Sequence, residues 1–160
     1  LTKQFTLGKK ERLKSRKQID HLFKQGKSFS IFPYKVYYVL NPIKTTQHPE
    51  ALTNSRLPLS LKLQGASPTR DSRLLFGVGA GTRNFKKAVD RNRIKRLTRE
   101  AYRLQKNILQ QKLLESEKQL NVFFIYTGKE MPDYLLIKEK TTQILNRLLK
   151  IVDENNPMDT

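Results

Sequence analysis

Apolar positions along this chain recur in two rhythms, one of about 3.6 residues and one of two, and the rhythms alternate in blocks. In ERLKSRKQIDHLFKQGK, Ile19, Leu22 and Phe23 form a stripe of helical spacing, with Ser15 placed as N-cap and Gly26 as stop, so a short helix is predicted. SFSIFPYKVYYVLN follows, rich in aromatic and β-branched residues, and reads as strand. Pro33 has no N–H to donate to a ladder, so it separates two strands or sits at an edge. From Tyr34 to Leu40 two faces alternate, with Tyr34, Val36 and Tyr38 on one and Lys35, Tyr37 and Val39 on the other. SRLLFGVGAG returns to strand, and its glycines, Gly77, Gly79 and Gly81, mark places where another element approaches the backbone closely. A glycine-free segment from about Asn84 to about Ser116 has helical spacing throughout. LNVFFIYTG is a buried strand bounded by Gly128, and YLLIKEKTTQILNRLLKIV is a closing helix with apolar positions at Leu136, Ile144, Leu148 and Ile151.

The order is helix, two or three strands, helix, strand, helix. That describes a single α/β (α+β) domain over residues 1–152, a small sheet covered by helices, with a flexible tail over 153–160. The strand–helix–strand run from Leu74 to Thr127 leaves open whether its strands are neighbours and what hand joins them. Residues 44–70 interrupt the pattern as an insertion or long loop, with Pro49, Pro58, Pro68 and many small polar residues, and LPLSLKLQ within it alternates like a short extra strand.

Charge changes the picture most. The 160 residues carry 32 Lys and Arg against 14 Asp and Glu, a net charge of +18. Self-repulsion on that scale opposes folding, and a polyanionic partner accounts for it better than solubility does. A hydrophobic content of 37% marks a folded domain. The chain has no cysteine, which excludes disulfides and thiolate metal sites, and its histidines, His21 and His48, lack zinc-motif spacing. No apolar run reaches the length of a membrane span, and LTKQFTLGKKERLKSRK holds none of signal-peptide length, so a cytoplasmic protein without membrane contact is expected.

The charge is concentrated on the predicted helix. At 100° per residue, Ile94, Leu97, Ala101, Leu104 and Ile108 form one stripe, while Arg91, Lys95, Arg96, Arg99, Arg103 and Lys106 fall opposite it. Arg93 lies at the margin of the stripe, and Asn92 adds an amide suited to a base edge, a ribose hydroxyl or a phosphate. Between Arg83 and Arg103 there are nine basic residues and two acidic ones, Asp90 and Glu100, too few to neutralise the rest by i,i+4 pairing. Phosphates explain a surplus on one side, since arginine grips them bidentately. RNA is favoured over DNA: no zinc-finger spacing or zipper follows, and aromatic residues, Phe23, Phe29, Phe32, Tyr34, Tyr37 and Tyr38, cluster beside lysines as stacking platforms do. The acidic residues are scattered, so a magnesium nest of this chain's own is not expected, nor are catalytic residues.

GVGAGTRNFKKAVDRNRIKRLTREAYR resembles the signature region of the bacterial ribonuclease P protein family, a strand with a glycine-led end entering a basic helix with an RNR core. ERLKSRKQIDHLFKQGKSF is similar to that family's N-terminal segment, and LNVFFIYTG with the closing helix to its last strand and helix. The resemblance implies an α/β sandwich with a four-stranded sheet and a left-handed β-α-β crossover. It implies a protein subunit whose partners are a catalytic RNA and precursor tRNA, with no obligate protein partner. The holoenzyme is then an endonuclease that removes the 5′ leader with Mg²⁺ held mainly by RNA. On matching positions, Arg91, Asn92, Arg93, Lys95, Arg96 and Arg99 are the RNA-subunit set, and Arg103 extends it. Ile19, Phe23 and Tyr37 line the leader cleft, with Arg83, while Thr82 stands where the family usually has another lysine. Arg12, Lys14, Lys86 and Lys87 supply additional basic contacts. A ribosomal-type RNA-binding protein or RNA chaperone is the alternative, and a DNA-binding regulator a more distant one.

Overall fold

The computed structural model describes residues 7–43 and 73–155. The 44–70 insertion, its candidate strand LPLSLKLQ and His48 therefore lie outside the described residues. A 3-10 turn, Lys9–Glu11, precedes α1 (Arg16–Gln25), β1 (Lys27–Ile31), β2 (Tyr34–Pro42), β3 (Leu74–Ala80), α2 (Ala88–Gln105), α3 (Asn107–Ser116), β4 (Lys118–Tyr126) and α4 (Tyr134–Glu154). The strands form one sheet in the order β1-β2-β4-β3. β1 and β2 make an antiparallel hairpin with a cis Phe32–Pro33 peptide at its turn, so Pro33 does separate two strands. β4 runs antiparallel to β2 and parallel to β3, which makes the sheet mixed.

Burial alternates strictly along β4, so its two faces have different fates. On one face Tyr34, Val36, Leu74, Phe76, Val78, Leu120, Val122, Phe124 and Tyr126 form the core with α2, α3 and α4. Tyr102 stacks on Phe76 with ring centroids 3.8 Å apart. Thr98 is fully buried, yet its hydroxyl is satisfied by the Ile94 carbonyl at 2.8 Å and the Tyr34 hydroxyl at 2.6 Å. Burial pushes the Tyr34 phenol up to about 12, although the Thr98 hydrogen bond works against it. On the other face lies α1, whose Phe23 meets β2 and β4.

The predicted long helix is two helices that meet at Lys106, and the first begins at Ala88 rather than near Asn84. The backbone ladder runs through the joint, from the Lys106 amide to Tyr102 O at 2.9 Å and from the Gln110 amide to Lys106 O at 3.0 Å. The apolar stripe is also rotated from the one the spacing predicts. Ile94, Thr98, Ala101, Tyr102, Leu109 and Leu113 are buried, Leu97 is half-buried, and Leu104 and Ile108 are exposed. The reason is that Thr98 and Tyr102 face the core through partners that hydropathy does not register. Lys106, expected on the basic side, is 2% exposed and pairs with Glu11 at 2.6 Å.

A similar rotation occurs in α4, where Ile137, Thr141, Ile144, Leu145, Leu148 and Val152 are buried while Leu136 is exposed. This helix continues to Glu154, past the expected start of a flexible tail at 153. Asp153 pairs with Lys112 at 2.5 Å, and the Lys118 ammonium donates to the carbonyl of Asn155. Among the described residues no helix is long and apolar enough to cross a membrane.

The Glu11 pair has a consequence for acid stability. Burial alone raises the Glu11 pKa, but hydrogen bonds from Lys106, the Gly8 amide and Gln110 outweigh it and hold the carboxyl below its ordinary value of 4.5. A depressed carboxyl contributes stability that is complete above 4.5 and is lost as pH falls through the lower folded value. Denaturation midpoints taken at about pH 6 and about pH 3 are thus expected to fall further for the unmodified chain than for Glu11→Gln. Equal falls in both proteins would mean that the pair does not titrate with folding.

Candidate nucleic-acid interface

The N-terminal half of α2 is fastened before it is charged. Arg91, half-buried, donates from Nη1 to the carbonyls of Phe85 and Lys86, each at 2.7 Å, and so ties down the loop that leads into the helix. Its Nη1 serves the fold, which sequence spacing did not reveal. Ile94 and Thr98 then fix the rotation of the helix against the sheet. That rotation turns Asn92, Arg96 and Arg99 outward and exposed.

These side chains do not stand on a plain convex surface. Together with Arg103, Glu100, Leu7 and Arg12 they line a cleft of about 530 Å³ between α2 and the N-terminal turn. Its lining holds four guanidinium groups and a single carboxylate. Glu100 is already bound by Arg103, at 3.1 Å to Nε and 2.5 Å to Nη2. Burial, and then the neighbouring Arg12 guanidinium, depress the Arg99 pKa. Two arginines set side by side repel each other in the free protein, and an anion placed between them relieves that repulsion. Arg12 therefore belongs to this group, and its sequence distance from α2 concealed the connection.

The second candidate surface is the sheet face opposite the core. Tyr37 of β2, Phe123 of β4 and Gly77 of β3 lie in one row across the strands. A Cβ at Gly77 would sit 2.6 Å from a Phe123 ring carbon, and one at Gly79 would sit 3.2 Å away, so the ring lies flat over glycine backbone. Phe23 of α1 meets Tyr37 edge-on at 4.8 Å and Phe123 at 5.4 Å. It remains 39% exposed and outside the core cluster. The Lys35 ammonium stands 5.0 Å from the Tyr37 ring. Ile19, one turn before Phe23, is half-buried. A groove with aromatic walls and a cation at its margin suits unstacked bases with their phosphates alongside.

Phe123 is the residue that sequence reasoning missed. The signal was available in LNVFFIYTG, whose alternation sends Phe123 and Phe124 to opposite faces, and in the glycines paired against it. The remaining candidates are spread around these two surfaces. Arg83 is exposed in the turn after β3, as is Thr82, and Lys86 and Lys87 are exposed ahead of α2. Lys14 is exposed just before α1, Arg93 is exposed on α2, and Lys95 is half-buried. Among the described residues no three His, Asp or Glu side chains gather as a metal site would require.

Comparison with known proteins bears on the family and the fold. The family model described as Ribonuclease P matches residues 7–149. The chain is 31% identical over 144 residues to the ribonuclease P protein component of one Porphyromonas gingivalis strain, spanning 90% of this chain and 87% of that relative. It is 38% identical over 89 residues to the corresponding protein of Chlorobaculum tepidum, spanning 52% of this chain and 56% of the relative. Two solved structures share the fold. The RNase P protein from Thermotoga maritima has a TM-score of 0.53 at 22% identity, over 86% of this chain and 96% of that one. The Staphylococcus aureus RNase P protein has a TM-score of 0.53 at 16% identity, over 86% of this chain and 94% of that one.

Proposed function

The chain belongs to the ribonuclease P protein family, and on that premise we propose that its two surfaces divide the work of one ribonucleoprotein. The protein is the subunit that assists a catalytic RNA in removing the 5′ leader from precursor tRNA, and it does not cleave alone. The cleft of Arg12, Asn92, Arg96, Arg99 and Arg103 seats backbone phosphates of the RNA subunit. The groove of Phe23, Tyr37, Phe123 and Lys35 takes the single-stranded leader. The observation that carries this reading is the Phe123 ring over Gly77 and Gly79, which gives a flat apolar floor open at the side where Phe23 and Tyr37 stand edge-on.

The chemistry of this division is placement. A leader base between aromatic side chains fixes the cleavage site relative to the RNA, converting part of the orientation cost of the reaction into binding. Arginines on α2 neutralise crowded phosphates where the substrate must approach. Mg²⁺ that polarises the scissile phosphate and supplies the nucleophile falls, in this reading, to the RNA subunit and the substrate.

Reconstitution with a ribonuclease P RNA and precursor tRNA tests the assignment of α2. With Arg96→Ala and Arg99→Ala together, more protein is expected to be needed for cleavage to reach its maximum. The dependence of log affinity on log salt should also flatten by about 1.4–1.8, two phosphate contacts at about 0.7–0.9 each. Assembly indistinguishable from the unmodified protein in both respects would remove α2 from the RNA interface.

A further inference from the structure

The N-terminal turn has little of its own to hold it, being a 3-10 segment of three residues, Lys9–Glu11. It is nevertheless fixed at both ends. Glu11 Oε2 accepts from the Gly8 amide at 2.7 Å, and its Oε1 accepts from Lys106 Nζ and Gln110 Nε2, each at 2.6 Å. Two residues on, the Leu13 amide donates to Phe76 O of β3 at 2.8 Å. Arg12 lies between these anchors and reaches into the cleft with Arg96, Arg99 and Arg103.

Charge makes such anchoring necessary. Arg12 shares the cleft with three other guanidinium groups, and its repulsion with Arg99 opposes the close approach of the turn to α2. Lys106 lies at the joint of α2 and α3 and is almost fully buried, where an apolar side chain would serve packing at least as well. A buried ion pair is a weak source of stability but can be a source of position, because the carboxylate and the ammonium are satisfied together in one geometry.

We propose that Glu11, Lys106 and Gln110 form a positioning clamp for RNA binding, holding the N-terminal turn against the α2–α3 joint so that Arg12 completes the phosphate site. The clamp rests on the reading of α2 as the surface for the RNA subunit. Glu11 touches no RNA; it acts through Arg12. The turn and the helix are separated by some eighty residues of sequence; the bridge of Arg12 and Leu13 to Phe76 fixes the far end of the turn, and the clamp fixes the end that faces α2.

The test is a titration of the intact protein with ribonuclease P RNA across a series of salt concentrations. It compares the unmodified chain with Arg12→Ala, Glu11→Gln, the double variant and Arg96→Ala, each with its melting curve. Arg12→Ala and Glu11→Gln are each expected to weaken binding about tenfold, the scale of one charge-assisted contact. Each should flatten the salt dependence by about 0.7–0.9, one phosphate. The double variant should bind no more weakly than Arg12→Ala, because the clamp has nothing left to position. Gln110→Ala, which removes one hydrogen bond to Glu11 and leaves its pairing with Lys106, should show a smaller loss that also vanishes in the Arg12→Ala background. It carries the test if Glu11→Gln folds poorly. Multiplying effects of Glu11→Gln and Arg12→Ala, or Glu11→Gln and Gln110→Ala both binding normally while Arg96→Ala is impaired, would overturn the clamp alone. Normal binding by Arg96→Ala would remove the reading of α2 and the clamp with it.

Discussion

Ile94→Ala is expected to cost about 2–5 kcal/mol of folding stability, the range for truncating a large buried aliphatic side chain. Ile94 is fully buried in the core cluster, one turn ahead of the Thr98 hydroxyl that bonds to its carbonyl. Ile94 belongs to one contiguous buried cluster with strand side chains such as Tyr34 and Phe124, and packed interiors relax little, so the cavity closes only in part. Leu97→Ala should cost less, because Leu97 is half-buried. Arg96→Ala, exposed on the same helix, should leave the urea midpoint nearly unchanged while weakening RNA assembly. A larger loss for Leu97→Ala than for Ile94→Ala would mean that α2 is rotated from the position described.

That comparison also shows where the sequence was informative. Strands and their alternation were legible, since a period of two puts Tyr34 and Val36 on one face and Tyr37 on the other, but which face turns inward is decided by the helices packed on it. So was α1, with its cap at Ser15 and its stop at Gly26. Helix rotation was less legible, because hydropathy assigns Thr98 and Tyr102 to the polar side and Leu104 and Ile108 to the core. In the structure, hydrogen bonding and ring stacking reverse both assignments. Lys106 misled for the same reason: its partner Glu11 lies far away in sequence, and periodicity carries no information about such pairs. The cationic set was visible as a one-sided surplus, whereas the engagement of Arg91 with loop carbonyls and the approach of Arg12 to Arg99 depend on tertiary contacts.

Phe23→Ala is expected to lower the affinity of the assembled holoenzyme for precursor tRNA by about 5- to 150-fold, since losing one base–aromatic stack costs about 1–3 kcal/mol. The structure favours a binding role over a packing role for this ring. Phe23 is 39% exposed, lies outside the core cluster, and meets Tyr37 and Phe123 in T-shaped rather than stacked contacts. Removing two edge-to-face contacts weakens folding by about 0.5–1.5 kcal/mol each, which a well-packed domain tolerates. Mature tRNA has no leader to place in the groove, so its affinity should scarcely change. Phe123→Ala should act in the same direction, because its ring is the floor on which Phe23 rests.

The ratio of precursor to mature tRNA affinity is the measurement that bears most directly on two surfaces with separate tasks. It is taken at one salt and one Mg²⁺ concentration, on holoenzymes saturated with protein and carrying either Phe23→Ala or the Arg96→Ala, Arg99→Ala pair. The ratio should fall for Phe23→Ala and stay at its unmodified value for the arginine pair once assembly is complete. An unchanged ratio for Phe23→Ala, or an equal fall in both holoenzymes, would contradict the division of labour between the groove and α2.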